Sequence, residues 1–400
     1  MSEARKKVKR AVEWPLKCKV EAKFHKARAA TITLPHGEVK TPVYMPVGTK
    51  GAIKGITYDQ MKELGCQILL GNTYHLGNYP GTETLDLFGG LHQYTGWSGN
   101  ILTDSGGYQM VSLLKLAKFT EQGVEFESPV DGSKMLLTPE ESIRIQNSIG
   151  SDIMMALDDV VSPLSGYERL EEATYRTTRW IDRCISAHDS SKSQNLFGIV
   201  QGGLNEDLRS ISLEALIERD LPGYAIGGLC GGEAKEDFCR VVDQCTDKLP
   251  EDKPRYVMGI GYPVDLVVCA VLGADMFDCV FPTRTARFGT VFTRKGFLKI
   301  KKNSLRQDLT PIEETCPCST CAKYTKAYLA SIIQKEEAAC NLLSVHNIVF
   351  LYKIMNDFRE SILNCSMPDY VKGFMEDWHG GKDNIPEWVI NGLKRGGVEW

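Results

Sequence analysis

A chain of 400 residues with 42% hydrophobic and 24% charged side chains has the composition of an ordinary globular protein, enough for one large domain or two medium ones, and this excludes a low-complexity chain. Its formal charge of −4 excludes a bulk attraction to nucleic acid, so any basic surface has to be local. Ten of the thirteen cysteines are scattered singly, several inside apolar runs (Cys66, Cys230, Cys269, Cys279), which excludes a spaced disulfide framework and fits a reducing, cytoplasmic compartment.

The basic start, Met1 to Arg10, is followed by no apolar signal core, and its Lys-rich, Glu-containing composition argues against a mitochondrial address. Lys19–Phe24 and Ala29–Leu34 read as an antiparallel pair with Pro35-His36-Gly37 as the next turn, a β layer able to plug one end of a barrel. Eight short apolar runs then recur, at Val43–Val47, Ile68–Gly71, Ile101–Thr103, Ile153–Leu157, Leu196–Val200, Tyr224–Gly227, Tyr256–Gly259 and Met276–Val280. Each ends in a polar or glycine-rich turn and is followed by a helical pattern. Thr138-Pro139-Glu140-Glu141 carries a capping-box signal, and Asn205-Glu206-Asp207 opens another helix with acids at its positive end. Apolar strands alternating with helices imply a parallel sheet covered on both faces, and eight units are the count for a closed (β/α)8 TIM barrel. An open doubly wound sheet is the alternative. The apolar stretch Leu266–Ala274 is far too short to span a membrane. The expected divisions are residues 1–42 (N-terminal β segment), 43–282 (barrel core), 283–345 (basic, metal-binding insertion after strand 8) and 346–400 (a C-terminal helical region completing the barrel). The last helical pattern starts near His346 and continues through Ile348, Val349, Tyr352, Met355 and Phe358.

Barrels of this kind place reactive groups at the C-terminal ends of their strands, which here offer Asn72, Asp104, Asp158 with Asp159, Gln201, Gly228, Gly261 and Asp278. Turns favour such residues for their own sake, but a solvated turn does not require repeated carboxylates. Two carboxylates facing one anomeric carbon can divide a displacement, one attacking and the other moving the proton. Spacing does not say whether Asp104 or Asp278 attacks.

Residues 283 to 307 hold Arg284, Arg287, Arg294, Lys295, Lys299, Lys301, Lys302 and Arg306 and no acid, with Phe288, Phe292 and Phe297 interleaved. Phosphates are the natural counter-charge, and aromatic rings can stack on unpaired bases. Cys316-Pro317-Cys318-Ser319-Thr320-Cys321 then supplies three thiolates within six residues, and His346 can complete a tetrahedral Zn²⁺ site with no open position. One structural zinc per chain is expected, folding an excursion with too little core of its own.

Asp-Ser-Gly-Gly-Tyr-Gln (104–109), Gly-Ile-Val-Gln-Gly-Gly (198–203), Gly-Gly-Leu (227–229), Gly-Ile-Gly-Tyr-Pro (259–263), Asp-Cys-Val-Phe-Pro-Thr-Arg (278–284) and the Cys-x-Cys-x-x-Cys…His pattern resemble the tRNA-guanine transglycosylases, in that family's order and over nearly the whole chain. The resemblance implies an enzyme that exchanges the wobble guanine of GUN-anticodon tRNAs (aspartate, asparagine, histidine, tyrosine) for queuine through a covalent aspartyl-ribosyl intermediate. It implies Asp278 as nucleophile and Asp104 as general acid and base. Ser105, Gly106, Gly107, Tyr108, Asp158, Gln201, Gly228, Leu229 and Gly231 would form the base pocket with Asp104. RNA contacts are implied at Gly259, Ile260, Gly261, Tyr262, Pro263, Val264 and Asp265, and at Thr283, Arg284, Thr285, Ala286 and Arg287. No organic cofactor is implied.

Gly231 stands where bacterial relatives resemble Val, and Val160 where they have Cys, so the pocket wall is expected to leave room for the cyclopentenediol of queuine, as in the eukaryotic type. That type pairs with a related, non-catalytic subunit, and Asp278 assigns this chain the catalytic half of the heterodimer. The resemblance places the protein in the cytoplasm and allows peripheral association with the mitochondrial outer membrane. A retaining glycoside or nucleoside hydrolase explains the acids but not the cysteines or the basic stretch. A non-catalytic RNA-binding subunit requires neither aspartate.

Overall fold

The computed structural model describes residues 14–107, 117–127, 132–333 and 335–400. All eight apolar runs become strands, at Val43–Gly48, Ile68–Gly71, Asn100–Thr103, Ile153–Met155, Asn195–Val200, Tyr224–Ile226, Arg255–Val257 and Met276–Cys279. Each pairs in parallel with its neighbour in chain order, and the last closes onto the first, Met276 opposite Val43 and Cys279 opposite Pro46. The fold is the closed barrel, not the open sheet. Burial explains the apolar runs: Asn195–Val200 is covered at every position because helices lie outside it and other strands inside. Several strands stop short of their apolar runs. Gly259, for example, turns out of the ladder at φ +78° to begin a loop at the barrel mouth.

The N-terminal β layer has three strands, Lys17–Phe24, Ala27–Leu34 and Gly37–Thr41; the third went unread because Gly37-Glu38-Val39-Lys40-Thr41 is mostly polar. Its Ile32, Leu34 and Val39 pack into one cluster with the inward residues Val43, Ile68, Leu102, Ile153, Phe197 and Tyr256. Leu16 N donates to Asn195 Oδ1 and Lys40 N to Gln67 Oε1, both at the N-terminal ends of barrel strands. The plug therefore closes that end and leaves the C-terminal mouth for chemistry. Arg28, 1% exposed, locks it by a paired contact with Asp275 just before the last strand. Removing either partner of such a buried pair typically costs about 3–5 kcal/mol.

At the plugged end His36 Nδ1 lies 2.7 Å from Asp152 Oδ1, and the His36 and His92 rings stack 3.6 Å apart at 12°. A ring nitrogen of each histidine lies close to the Asp152 carboxylate, so the trio braces the loops at this end.

Thr138 caps the helix Pro139–Ile149 by accepting from Glu141 N at 3.1 Å. The reciprocal half of the expected box is replaced, since the Glu141 carboxylate pairs with Arg144. Asn205 caps Glu206–Ile217 as expected. Between the third strand and Pro139–Ile149 a small antiparallel sheet, Lys118–Phe119, Val124–Glu127 and Lys134–Leu137, was not expected. Glu121 fastens it to the helix Tyr167–Ala187: its carboxylate binds Arg179, and its carbonyl accepts from Trp180 Nε1 at 3.0 Å. Glu125 and Glu127 lie on the exposed face of their strand.

After the eighth strand come the helix Phe281–Arg287, a hairpin of Thr290–Thr293 and Gly296–Lys299, and the short helices Ser319–Lys323 and Lys326–Ile332. The final helical pattern begins earlier than expected. Glu337–Leu363 is one continuous helix, so His346 sits inside it and not at its head. Glu336 caps it without a side-chain bond, which left the start without a sequence signal. This helix packs on Phe281–Arg287 and on the first barrel strand, and Met367–His379 and Glu387–Arg395 follow it. Among the described residues it alone has the length and hydropathy to cross a membrane, and 61% of its most apolar window is buried inside the protein.

Candidate active site and metal centre

Asp104 and Asp278 emerge at the same mouth. Asp104, just past Asn100–Thr103, is held by its neighbour strand's loop: Asn72 Nδ2 donates to Oδ2 at 2.6 Å and Thr73 N to Oδ1 at 3.0 Å. Gly106 N adds a third bond at 3.1 Å, from a backbone position (φ +84°) that favours glycine. Asn72 also caps Thr73–Leu76 with its Oδ1, so one amide fixes both the helix start and the carboxylate. Asp278, half-buried on Met276–Cys279, accepts at Oδ1 from the Tyr256 hydroxyl and from Gly259 N at 2.8 Å. Its Oδ2 has no hydrogen-bond partner among the described residues. Burial raises its pKa, opposed by those two bonds. The charges of both Asp278 and Asp104 act on Tyr256, whose buried phenol is pushed well up, so the two carboxylates share one neighbourhood.

The third acid lies deeper. Asp158, 4% exposed, accepts from Gln201 Nε2 at 2.7 Å and Ser105 Oγ at 3.3 Å, and burial is the main reason its pKa is pushed up to about 6. Its neighbour Asp159 turns the other way into Arg169 and Arg176 and is structural. Gln201 is fully buried with Oε1 unpartnered among the described residues. Gly228 (φ +64°) approaches it so closely that a Cβ would stand 2.4 Å from Oε1, so no larger residue fits. Arg209, missed in the sequence, is buried with no ion pair among the described residues and donates to Val200 O, Gly203 O and Gly228 O, bracing two loops of the mouth. Gly107 is placed by Ser105 Oγ, Leu229 is half-buried, and Tyr108 lies outside the described residues.

Gly231 does not open space as expected. Its Cβ position faces Pro163, 2.5 Å from Cδ, so a side chain there would push against the loop after Ile153–Met155. Cys230 N and Gly231 N both donate to the Glu233 carboxylate, at 2.6 and 2.8 Å.

The segments expected to touch RNA are only partly at the surface. Gly259 and Tyr262 are exposed, while Ile260, Gly261, Pro263, Val264 and Asp265 are buried, Asp265 in an ion pair with Lys235 at 2.6 Å. On Phe281–Arg287, Arg284 is exposed and Thr285 and Arg287 are half-buried, but Thr283 and Ala286 face inward. Among the described residues Arg294 pairs with Asp377, and the other seven cations of 283–307 make no ion pair. Phe292 is buried and Phe297 packs against Tyr262, Phe281 and Trp378, which leaves Phe288, 70% exposed, as the free ring.

Cys316, Cys318, Cys321 and His346 are buried with their ligand atoms within 4.8 Å of one another. The three sulfurs lie 3.6, 3.6 and 3.3 Å from His346 Nδ1. Bond lengths of about 2.3 Å to sulfur and 2.0–2.1 Å to nitrogen give a tetrahedral S···N edge of about 3.6 Å, so the donor set fits Zn²⁺. His346 Nε2 is 2.8 Å from Phe292 O, which leaves Nδ1 as the ligating nitrogen. Asn347, also missed, ties the same hairpin to the barrel by accepting from Phe292 N and donating to Pro282 O and Thr290 O.

A parallel barrel plugged at one end, with carboxylates gathered at the other and a buried four-donor cluster fit to hold a metal ion beyond its last strand, defines a TIM-barrel enzyme with an accessory unit. Residues 22–380 match the family model described as queuine tRNA-ribosyltransferase, and the chain belongs to that family. It is 54% identical over 377 residues, 92% of this chain and 93% of the relative, to the queuine tRNA-ribosyltransferase catalytic subunit of Schizosaccharomyces pombe. A catalytic subunit of the same name from Caenorhabditis briggsae is 49% identical over 388 residues, 94% of this chain and 97% of that one. The queuine tRNA-ribosyltransferase of Fusobacterium nucleatum is 47% identical over 369 residues, 92% and 99% of the two chains.

Proposed function

We propose that this chain exchanges the wobble guanine of GUN-anticodon tRNAs for queuine by two successive displacements at the ribose C1′. The observation that carries the mechanism is the contrast between the two carboxylates. Both oxygens of Asp104 are engaged, whereas Oδ2 of Asp278 has no partner among the described residues. Asp278 is therefore the nucleophile, and Asp104 gives a proton to the departing base and takes one from the incoming base. Asp158 accepts N1–H and the 2-amino group, and Gln201 with the Gly228 N–H donates to O6. A pocket that pairs these groups rejects bases that lack them. Arg284, Lys295, Lys299, Lys301, Lys302 and Arg306 supply the phosphate-facing surface, with Phe288 as a stacking ring.

The metal is read as one structural Zn²⁺ held by Cys316, Cys318, Cys321 and His346, which takes no part in the chemistry. The chain is the catalytic half of a eukaryotic-type heterodimer with a related, non-catalytic chain in the cytoplasm, with room for peripheral attachment at the mitochondrial outer membrane. The words "catalytic subunit" in the names of the Schizosaccharomyces and Caenorhabditis relatives support the pairing.

Labelled guanine tests the base pocket. Label should enter tRNA by exchange, whereas a hydrolase would only release base. Guanine binding requires the Asp158 anion, whose pKa is about 6. Equilibrium dialysis should show affinity constant above pH 7 and falling about tenfold per pH unit well below 6. Asp158→Asn should bind weakly and without that slope; a wild-type protein with flat affinity from pH 5 to 8 contradicts the assignment. Stability has the opposite sign. The folded carboxyl holds its proton more tightly than the unfolded one, at about 4, so its contribution is fullest below pH ~4 and is lost as pH rises through about 6.

A further inference from the structure

We infer that Tyr256 is a positioning residue for the nucleophile: with the Gly259 N–H it fixes Oδ1 of Asp278, selects Oδ2 as the attacking atom, and steadies the carboxylate when it departs from C1′. The inference rests on the glycosyl-transfer reading and extends it to one further residue and one named atom.

Tyr256 belongs to Arg255–Val257 and is 1% exposed, its ring among the inward side chains above the plug. A ring so enclosed cannot swing away, and its hydroxyl meets Asp278 Oδ1 across one strand pairing, Tyr256 lying opposite Met276. Burial and the adjacent carboxylates keep the phenol protonated, so it remains a donor throughout the working pH range. Gly259 N reaches the same oxygen at 2.8 Å from the loop that follows this strand. Two donors on one oxygen fix the carboxylate's rotation and leave the other oxygen for carbon.

In the first half of the exchange the Oδ2–C1′ bond forms, the bond from C1′ to the base nitrogen breaks with its electron pair leaving on the base, and Asp104 supplies the proton. In the second half the incoming base nitrogen gives its proton to Asp104 and bonds to C1′. The C1′–Oδ2 pair then returns to the carboxylate. Oδ1 is a neutral ester carbonyl in the adduct and carries part of a full charge once released. A hydrogen bond to a charged acceptor is stronger than one to a neutral acceptor. The Tyr256 bond therefore strengthens as the ester breaks and favours discharge of the adduct.

The test is Tyr256→Phe, which keeps the ring and removes only the donor. Preformed tRNA adduct is chased with guanine and its disappearance timed. Discharge should slow about 10- to 100-fold while the Kd for tRNA stays unchanged. The acid limb of the pH profile should move to higher pH, because Asp278 loses a bond that lowers its pKa. Fluorotyrosine at position 256 keeps the packing and makes a stronger donor, and should shift the discharge rate and the acid limb in the opposite directions. Wild-type discharge and an unmoved acid limb in both variants overturn the inference. If Asp278→Asn still forms the adduct, the assignment of Asp278 as the nucleophile, on which this inference rests, fails whatever Tyr256 does.

Discussion

Asp278→Asn is expected to abolish the covalent tRNA adduct and to lower base exchange by at least about 10³-fold, with guanine binding retained. Asparagine keeps the size of the side chain and can still accept from Tyr256 and Gly259 N through its amide oxygen. What it lacks is the anionic oxygen that forms a bond to carbon. Asp158 and Gln201, proposed to face guanine, belong to other strands, and neither bonds to Asp278 among the described residues, so base affinity should survive. A denaturing gel reads the adduct, and dialysis of labelled guanine reads the binding. Full exchange by the variant would overturn Asp278 as the nucleophile.

Loss of the metal has the second large effect. The four candidate ligands come from two places in the chain, the loop at 316–321 and the interior of Glu337–Leu363, and the proposed metal would be the bond between them. Structural zinc sites of this donor type are worth about 10–16 kcal/mol in small peptides, comparable with the whole stability of a domain at about 5–15 kcal/mol. Cys318→Ala is expected to lower metal content from one per chain to none and to lower the melting temperature by more than about 10 °C. Exchange should fall with it, because the hairpin Thr290–Thr293 and Gly296–Lys299 hangs from His346 and Asn347 through Phe292. Elemental analysis and a thermal melt decide it: a metal-free variant that melts with the wild type contradicts a structural role.

The barrel was legible because its strands are covered on both faces and so read as unbroken apolar runs. The thiolate cluster was legible because three cysteines in six residues have few other uses. What failed had a common cause, which is that a linear motif does not say which way a side chain points. Asp265 lies within a segment expected to touch RNA, yet it faces Lys235 inside the protein. Gly231 read as added room, but its missing side chain points at Pro163. Phe292 read as a base-stacking ring and is core. Tyr256 looked like one more strand residue, and only the closed barrel brings its hydroxyl to Asp278. The sheet of 118–137 escaped because a two-residue strand and an alternating polar one carry little pattern.

The most direct measurement of the central claim is peptide mass mapping of the trapped adduct after nuclease trimming. The added ribosyl mass should sit on the peptide containing Asp278 and on that residue in fragment spectra. The same mass on Asp104, or a protein that exchanges guanine while never carrying it, would contradict attack by Oδ2 of Asp278.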